Sequence, residues 1–336
     1  MRYSLFVGVD ISAQEAHVAT LNAEGELSDP FVIEQTPAGM AELEQALLGS
    51  GHAPGATLVV MEASGSYWMK LASWLYGAGF AVSVINPAQA HAFARALLQR
   101  SKTDALDALV LARLAAKLQP TLWTPPSQTY EQLYQRLVQR DALLEMRQQE
   151  RNRLHALRHR ASVVAAVQAQ LEAHIVFLDA QIAELDHQIQ QVLAQDEAWG
   201  QAARLLRSIK GFGPVATTWL LTATHNFTAC QRPEQVASYA GLVPRKFESG
   251  SSVNRRPAIG YAPHARLRQA LYMASLSAIQ HNPAIRTFYH RLLEHGKTKK
   301  AALCACARKL VHIAWAVAAQ QQTWRPDYAF EALLIA

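Results

Sequence analysis

Two apolar runs in the first third of the chain each end on a carboxylate. Leu5-Phe6-Val7-Gly8-Val9 leads into Asp10, and Leu58-Val59-Val60-Met61 leads into Glu62. Short runs of this kind read as buried strands, and each then holds its acid at the edge of a sheet. A third element, Ser101-Lys102-Thr103-Asp104-Ala105-Leu106-Asp107-Ala108, continues as an apolar helix. Its two aspartates are spaced i,i+3 and share one helix face. Four carboxylates converging from two strands and one helix suit two divalent cations on either side of a phosphate. That arrangement cuts or joins nucleic-acid strands.

Composition agrees with this reading. The chain has 336 residues and is 50% hydrophobic, enough for two domains or one large one. A net charge of +6 and a pI near 9.3 favour a polyanionic partner. Charged residues make up only 17%, so the positive charge has to be clustered to act. Cys230, Cys304 and Cys306 are odd in number and form no CxxC pair. This argues against a disulfide scaffold or zinc ribbon and for a reducing cytoplasm. Met1-Arg2-Tyr3-Ser4 runs straight into a strand without a signal-peptide cleavage region. Long apolar stretches are broken by charged or polar residues before they reach the length of a membrane span. The expectation is a soluble cytoplasmic protein with no membrane partner.

Strand and helix signals alternate over the first 120 or so residues. Leu5–Asp10, His17–Asn22 and Phe31–Glu34 read as strands, with a hairpin turn at Ala23-Glu24-Gly25-Glu26. Gly39–Leu48 reads as an amphipathic helix, Ala56–Glu62 as a buried strand and Tyr67–Tyr76 as a helix with Gly79 as its C-cap candidate. Ala81–Ile85 is the last strand, and Asn86-Pro87 starts another helix. Three strands followed by alternating helices and strands is the order of an RNase H-like α/β domain.

Trp123-Thr124-Pro125-Pro126-Ser127 marks a boundary. Gln128 to about Asp196 then lacks proline and glycine. Leu133, Leu137, Leu144, Leu154 and Leu157 mark one helix; Ile175, Leu178, Ile182, Leu185, Ile189 and Leu193 mark a second. An intrachain antiparallel pair and a dimerising coiled coil both fit. The first helix carries Arg136, Arg140, Arg147, Arg151, Arg153, Arg158 and, just past it, Arg160. Such a run is either a solvated face or a track for a phosphate backbone. His155 and His159 have the i,i+4 spacing of a metal pair without a visible third ligand, which favours a solvated pair.

The remainder reads as mostly helical. Ser208-Ile209-Lys210-Gly211-Phe212-Gly213-Pro214 looks like a helix-hairpin-helix turn, or an ordinary helix connection. Pro244 to Arg256 reads as a polar basic loop between two apolar helices; it gathers Arg245, Lys246, Arg255 and Arg256 around Ser249, Gly250, Ser251 and Ser252.

Taken in order, these motifs resemble the DEDD-type insertion-sequence transposases, the bridge-RNA-guided recombinases. Val7–Ser12, Met61–Tyr67, Val84–Pro87 and Lys102–Ala108 carry the likeness in the first half. Ser208–Gly213, Tyr239–Arg245, Glu248–Ser252, Leu267–Tyr272 and the helix bearing Arg308-Lys309-Leu310 carry it in the second. The resemblance implies a RuvC-like α/β domain over residues 1–122, a coiled-coil helical segment over 123–197 and a mainly α C-terminal transposase domain over 198–336. It implies that Asp10, Glu62, Asp104 and Asp107 hold Mg²⁺ or Mn²⁺ and that Ser249 is the nucleophile, with Ser251 and Ser252 as near neighbours. Contacts to nucleic acid fall to Arg147, Arg151, Arg153, Arg158, Arg245, Lys246, Arg255 and Arg256. The implied partners are target and donor DNA, a noncoding bridge RNA, and a second copy in a dimer that pairs into a tetramer. The chain departs from the pattern at Lys210, where proline is common, and at Tyr261 and Pro263, where lysine and glycine are usual.

Three other readings compete. A RuvC-like structure-selective endonuclease would use the acids with water and form no covalent intermediate. An actin-like ATPase also has a first strand ending Gly-x-Asp, but Ile11-Ser12-Ala13-Gln14-Glu15 offers no small phosphate loop. A non-catalytic nucleic-acid-binding protein has no use for four carboxylates beside DNA.

Overall fold

A computed structural model describes residues 3–98, 103–249, 253–259 and 264–325, with the backbone alone for 245–249 and 253–259. The chain forms two compact units, Met1–Pro125 and Pro126–Ala336.

The first unit holds a five-stranded sheet of β1 (Leu5–Ile11), β2 (Glu15–Asn22), β3 (Phe31–Glu34), β4 (Thr57–Glu62) and β5 (Ala81–Ile85), in the order β3-β2-β1-β4-β5. β1 pairs antiparallel with β2 and parallel with β4, and β4 pairs parallel with β5. Helices α1 (Pro37–Gly49) and α2 (Trp68–Gly77) join the later strands; α3 (Pro87–Ala96) and α4 (Asp104–Leu118) follow. This is the order expected of the alternating pattern. The local signals that set it are visible. Gly25 takes φ +92 in the β2–β3 connection, and Gly79 takes φ +89 just after α2. The Asn86 side chain accepts from the Ala88 N–H, with Pro87 in the first turn of α3.

Alternation along the strands divides the core into two layers. Leu5, Val7, Val9, Val59 and Met61 pack with Met40 and Leu43 of α1 and Leu71 and Leu75 of α2. Phe6, Leu58 and Val60 face the other way, onto Leu111, Leu114 and Ala115 of α4.

The second unit begins with α5 (Gln128–Arg158) and α6 (Ala165–Gln195). They fold back on each other within the chain: Arg158 bonds Glu172, Arg140 bonds Asp186 and Thr129 bonds Asp196, an antiparallel pairing. Of the two arrangements the leucine spacing allows, the intrachain one is present. Leu143, Leu178 and Ile182 seal its middle, while Leu133, Leu137, Ile189 and Leu193 join the core of the helices that follow. Those are α7 (Glu197–Arg207), α8 (Pro214–Ala223), α9 (Pro233–Tyr239), α10 (Ala265–His281), α11 (Pro283–Glu294) and α12 (Lys299–Gln320).

One expectation needs correction. The basic stretch after Pro244 is a two-stranded antiparallel ribbon, β6 (Pro244–Ser249) and β7 (Val253–Ile259), and not a loop. Its strands are short and mix charged and apolar residues, so no apolar period of two announces them. Among the described residues, one helix, α12, has the length and mean hydropathy (1.4) of a membrane span, with the charged pair Arg308-Lys309 inside it. More than half of that stretch is buried, and Cys306, Leu310 and Ala314 belong to the core of the second unit. α12 is a core helix.

Candidate active site

Strand register brings the acids of the first unit together. Phe6 pairs with Leu58 and Gly8 with Val60 across β1 and β4. Side chains alternate along a strand, so Asp10 and Glu62 continue the same row on the α4 side of the sheet. α4 lies close enough for its carboxylates to reach that row. A Cβ on Gly8 would meet backbone atoms of Ala108 and Ala112, and Ala19 completes a seam of small residues with both. Thr103 caps α4 by accepting from the Leu106 N–H at 3.3 Å, which leaves Asp104 and Asp107 in the first turn. The partial positive charge at a helix N-terminus favours acids there. Both aspartates therefore stand at the end of α4 nearest the carboxyl ends of β1 and β4.

The Asp10 carboxyl responds to the other three acids. The Asp10 carboxyl is pushed up to about 6, first by burial and then by the negative charges of Asp107, Asp104 and Glu62. Glu62 is held by the Ser64 hydroxyl, which donates to its Oε1 at 2.8 Å. His17 was not singled out by the sequence. It sits opposite Asp10 in the β1–β2 register, with Nε2 3.8 Å from Asp104 Oδ2 and 3.6 Å from Glu15 Oε1. Its charge lowers the Asp10 carboxyl. Counting back along a hairpin from Asp10 would have pointed to this position.

Hard oxygen donors whose charges raise the proton affinity of Asp10 suit a hard divalent cation, which would relieve the same repulsion. The fit is one of charge and donor type. Among the described residues no three His, Cys, Asp or Glu side chains are gathered at ligating distance of one point.

The other predicted positions fall in the second unit. Arg147 pairs with Asp179, and Arg151 lies 3.5 Å from the same carboxylate. Arg153 pairs with Glu150 at 2.9 Å and Arg158 with Glu172 at 2.8 Å. All four thus share their charge with acids of the same helical pair. Asp179 is held below the ordinary carboxylate range, chiefly by its hydrogen bond from Arg147. His155 and His159 touch each other, Nε2 to Nε2 at 3.2 Å. Ser249 ends β6, paired with Val253. Its side chain, those of Arg245, Lys246, Arg255 and Arg256, and all of Gly250, Ser251 and Ser252 lie outside the described residues. The Ser208–Gly213 turn connects α7 and α8. Gly211, at φ +112, leaves no room for a Cβ against Ala278 of α10. That glycine is needed for helix packing, whatever else the turn does.

A mixed sheet in the order β3-β2-β1-β4-β5 that sets acids at the carboxyl ends of two central strands, followed by a mostly helical region, is consistent with a RuvC-like domain joined to a helical one. Comparison with known proteins gives the family. Residues 7–162 match a transposase model of the DEDD IS110 type, and residues 203–290 match the transposase model of the IS116/IS110/IS902 family. The pilin gene-inverting protein of Moraxella bovis is 36% identical over 266 residues, covering 79% of this chain and 80% of that protein. Its counterpart in Moraxella lacunata gives the same figures. An uncharacterized 42 kDa protein of insertion element IS900, from Mycobacterium paratuberculosis, is 28% identical over 177 residues, covering 52% of this chain and 43% of that protein. The chain belongs to the IS110/IS116/IS902 family of transposases.

Proposed function

We propose that this transposase cuts and rejoins DNA strands through a phosphoserine intermediate, with Ser249 as nucleophile and Mg²⁺ or Mn²⁺ held by Asp10, Glu62, Asp104 and Asp107. The observation that carries the metal part is the Asp10 carboxyl at about 6, raised by its burial and by the three other acids. A bound divalent cation supplies electrostatic stabilisation of the scissile phosphate and of the leaving oxygen. The chain's own residues do the rest. Ser64 and His17 orient Glu62 and Asp104 through the contacts described above. The Ser249 Oγ attacks phosphorus, the bond to the 3′ oxygen breaks, and the hydroxyl proton passes by way of solvent to that departing oxygen. A 5′-phosphoserine link and a free 3′-OH result. The link keeps the energy of the broken bond, so attack by a second 3′-OH rejoins DNA and frees the serine without ATP. The basic residues Arg245 and Lys246 of β6 and Arg255 and Arg256 of β7 supply charge to offset phosphate.

The same reading assigns the choice of target and donor DNA to a noncoding bridge RNA, and the assembly to dimers paired into a tetramer, acting at the nucleoid in the cytoplasm. Its support is the family resemblance of the motifs; the name of the Moraxella relatives, gene-inverting, supports only the cutting and rejoining of DNA.

The test is a covalent adduct. Protein purified with its copurifying RNA and given DNA should form a protein–DNA species that survives denaturation. Ser249→Ala should lose it while still binding nucleic acid; Ser251→Ala and Ser252→Ala should keep at least part of it. Cleavage by all three variants with no adduct would establish a metal-dependent nuclease in place of a serine recombinase.

A further inference from the structure

In the second unit, three aromatic rings from two elements lie nearly parallel in a column. Tyr134 and Tyr130, one turn apart on α5, have ring centroids 5.8 Å apart and planes 6° apart. His225, in the turn after α8, stacks on Tyr130 at 4.1 Å and 10°. His225, Asn226 and Phe227 have φ of 47°, 54° and 65°, a run of left-handed backbone that residues with a Cβ rarely adopt. The turn is pinned in that shape by Asn226 N–H donating to Leu221 O at 2.8 Å and Phe227 N–H donating to Thr224 Oγ1 at 3.1 Å.

The column borders a cavity of 360 Å³ whose other walls include Tyr239, His264 and Arg266. Tyr134 and Tyr239 are each 39% exposed, so their rings are not sealed into the core. His264 Nδ1 accepts from the Leu267 N–H at 3.0 Å, which leaves its proton on Nε2. Burial lowers the affinity of His225 and His264 for a second proton, and it pushes the Tyr130 hydroxyl up to about 12. Near pH 7 His225, His264 and Tyr130 are therefore neutral. The rings offer flat π faces and single hydrogen-bond donors and acceptors; among the described residues, the guanidinium of Arg266 stands at the edge, paired with Asp141 at 2.9 Å. The cavity also marks the root of the β6–β7 ribbon. Tyr239 precedes β6, His264 follows β7, and the His264 N–H donates to Tyr239 O at 3.3 Å.

Flat neutral rings lining an open pocket match a nucleobase, which stacks on aromatic faces without needing a charge. We propose that this pocket receives one unstacked nucleobase from a single-stranded segment of nucleic acid, which extends the Tyr134–Tyr130–His225 column beside the root of the ribbon. The inference rests on the reading that this chain handles nucleic acid. A base from DNA and a base from RNA offer the same π face, so the chemistry alone fits both.

The test uses the full chain with fluorescein-labelled oligothymidine and oligouridine. Tyr134→Ala should raise the Kd for single strands by roughly 5- to 100-fold, the range that loss of one stacking ring gives. Tyr134→Phe, which keeps the ring, should restore binding to near the wild-type value. Tyr239→Leu gives a second, independent loss, and thermal melting of each variant confirms that it folds. A larger effect on oligothymidine assigns the base to DNA; a larger effect on oligouridine assigns it to RNA. If wild-type protein binds and folded Tyr134→Ala and Tyr239→Leu bind equally well, the pocket assignment is wrong while the transposase reading stands. If wild-type protein binds neither strand nor duplex DNA, both fail.

Discussion

Gly8 on β1 lies directly beneath Ala108 on α4, so close that a Cβ at Gly8 would stand 2.1 Å from the Ala108 carbonyl oxygen and 2.2 Å from the Ala112 nitrogen. Both obstructing atoms are backbone, so no side chain can rotate away. The contact sets how near the first turn of α4, with Asp104 and Asp107, comes to Asp10 two residues along the same strand face. Gly8→Ala should therefore push α4 off the sheet. We expect a loss of roughly 1–3 kcal/mol in stability, as overpacking of a tight site gives, together with a fall in cleavage larger than the stability loss explains. Denaturant unfolding and a cleavage assay on the folded fraction check this. Wild-type activity in a stable variant would show that the close contact does not position the acids.

The raised Asp10 carboxyl gives a pH dependence with a definite sign. Its proton affinity moves from the ordinary 3.8 to about 6 in the folded protein. Between those values the folded chain holds a proton that the unfolded chain releases. Metal-free stability is therefore highest below 3.8 and declines as pH rises through about 6, as far as this group contributes. Asp10→Asn should flatten that decline. Mg²⁺ added above pH 6 should recover stability in the wild type and much less in the variant. Thermal melts with and without chelator measure both; identical pH slopes for wild type and Asp10→Asn would remove Asp10 as the source.

Asp104→Asn and Asp107→Asn each keep the shape of the first turn of α4 and remove one charge. Strand cleavage in Mg²⁺ should fall roughly 100-fold or more, in line with the loss of a group that acts on developing charge, with melting in the metal-free state unchanged or raised. Relief of the repulsion on Asp10 is the reason to expect a rise. A variant that cleaves at the wild-type rate and binds Mg²⁺ as tightly would exclude that aspartate from the metal site.

Arg151, Arg153 and Arg158 keep 47%, 66% and 56% of their side chains exposed despite their acidic partners. If they contact a nucleic-acid backbone, replacing all three with Gln should reduce the slope of log K against log salt by about 2–3. An unchanged slope assigns them wholly to the ion pairs that lace α5 to α6 and to their own helix.

Much of the first unit is legible in the sequence because its signals are local. An apolar run that stops at Asp10 or Glu62, proline after Asn86 and glycine after α2 each declare an element or its end within a few residues. The i,i+3 spacing of Asp104 and Asp107 declares their shared face in the same way. The leucine spacing of α5 and α6 marks two helices equally well, but not whether they pair within one chain or between two. Burial decides this: Leu143 closes on Leu178 and Ile182 of the same molecule.

What tertiary structure alone decides is the meeting of side chains that no period connects. His17 comes to Asp104 because β2 turns back on β1. Arg147 meets Asp179 through the antiparallel register of two helices. Tyr130 and His225 stack across 95 positions of chain. The β6–β7 ribbon, whose strands mix charged and apolar residues, is fixed by backbone pairing that leaves no pattern in residue type. Sequence periodicity reports which face of an element is apolar. The contact between two elements depends on register and approach distance, and these are set by the packing of the whole core.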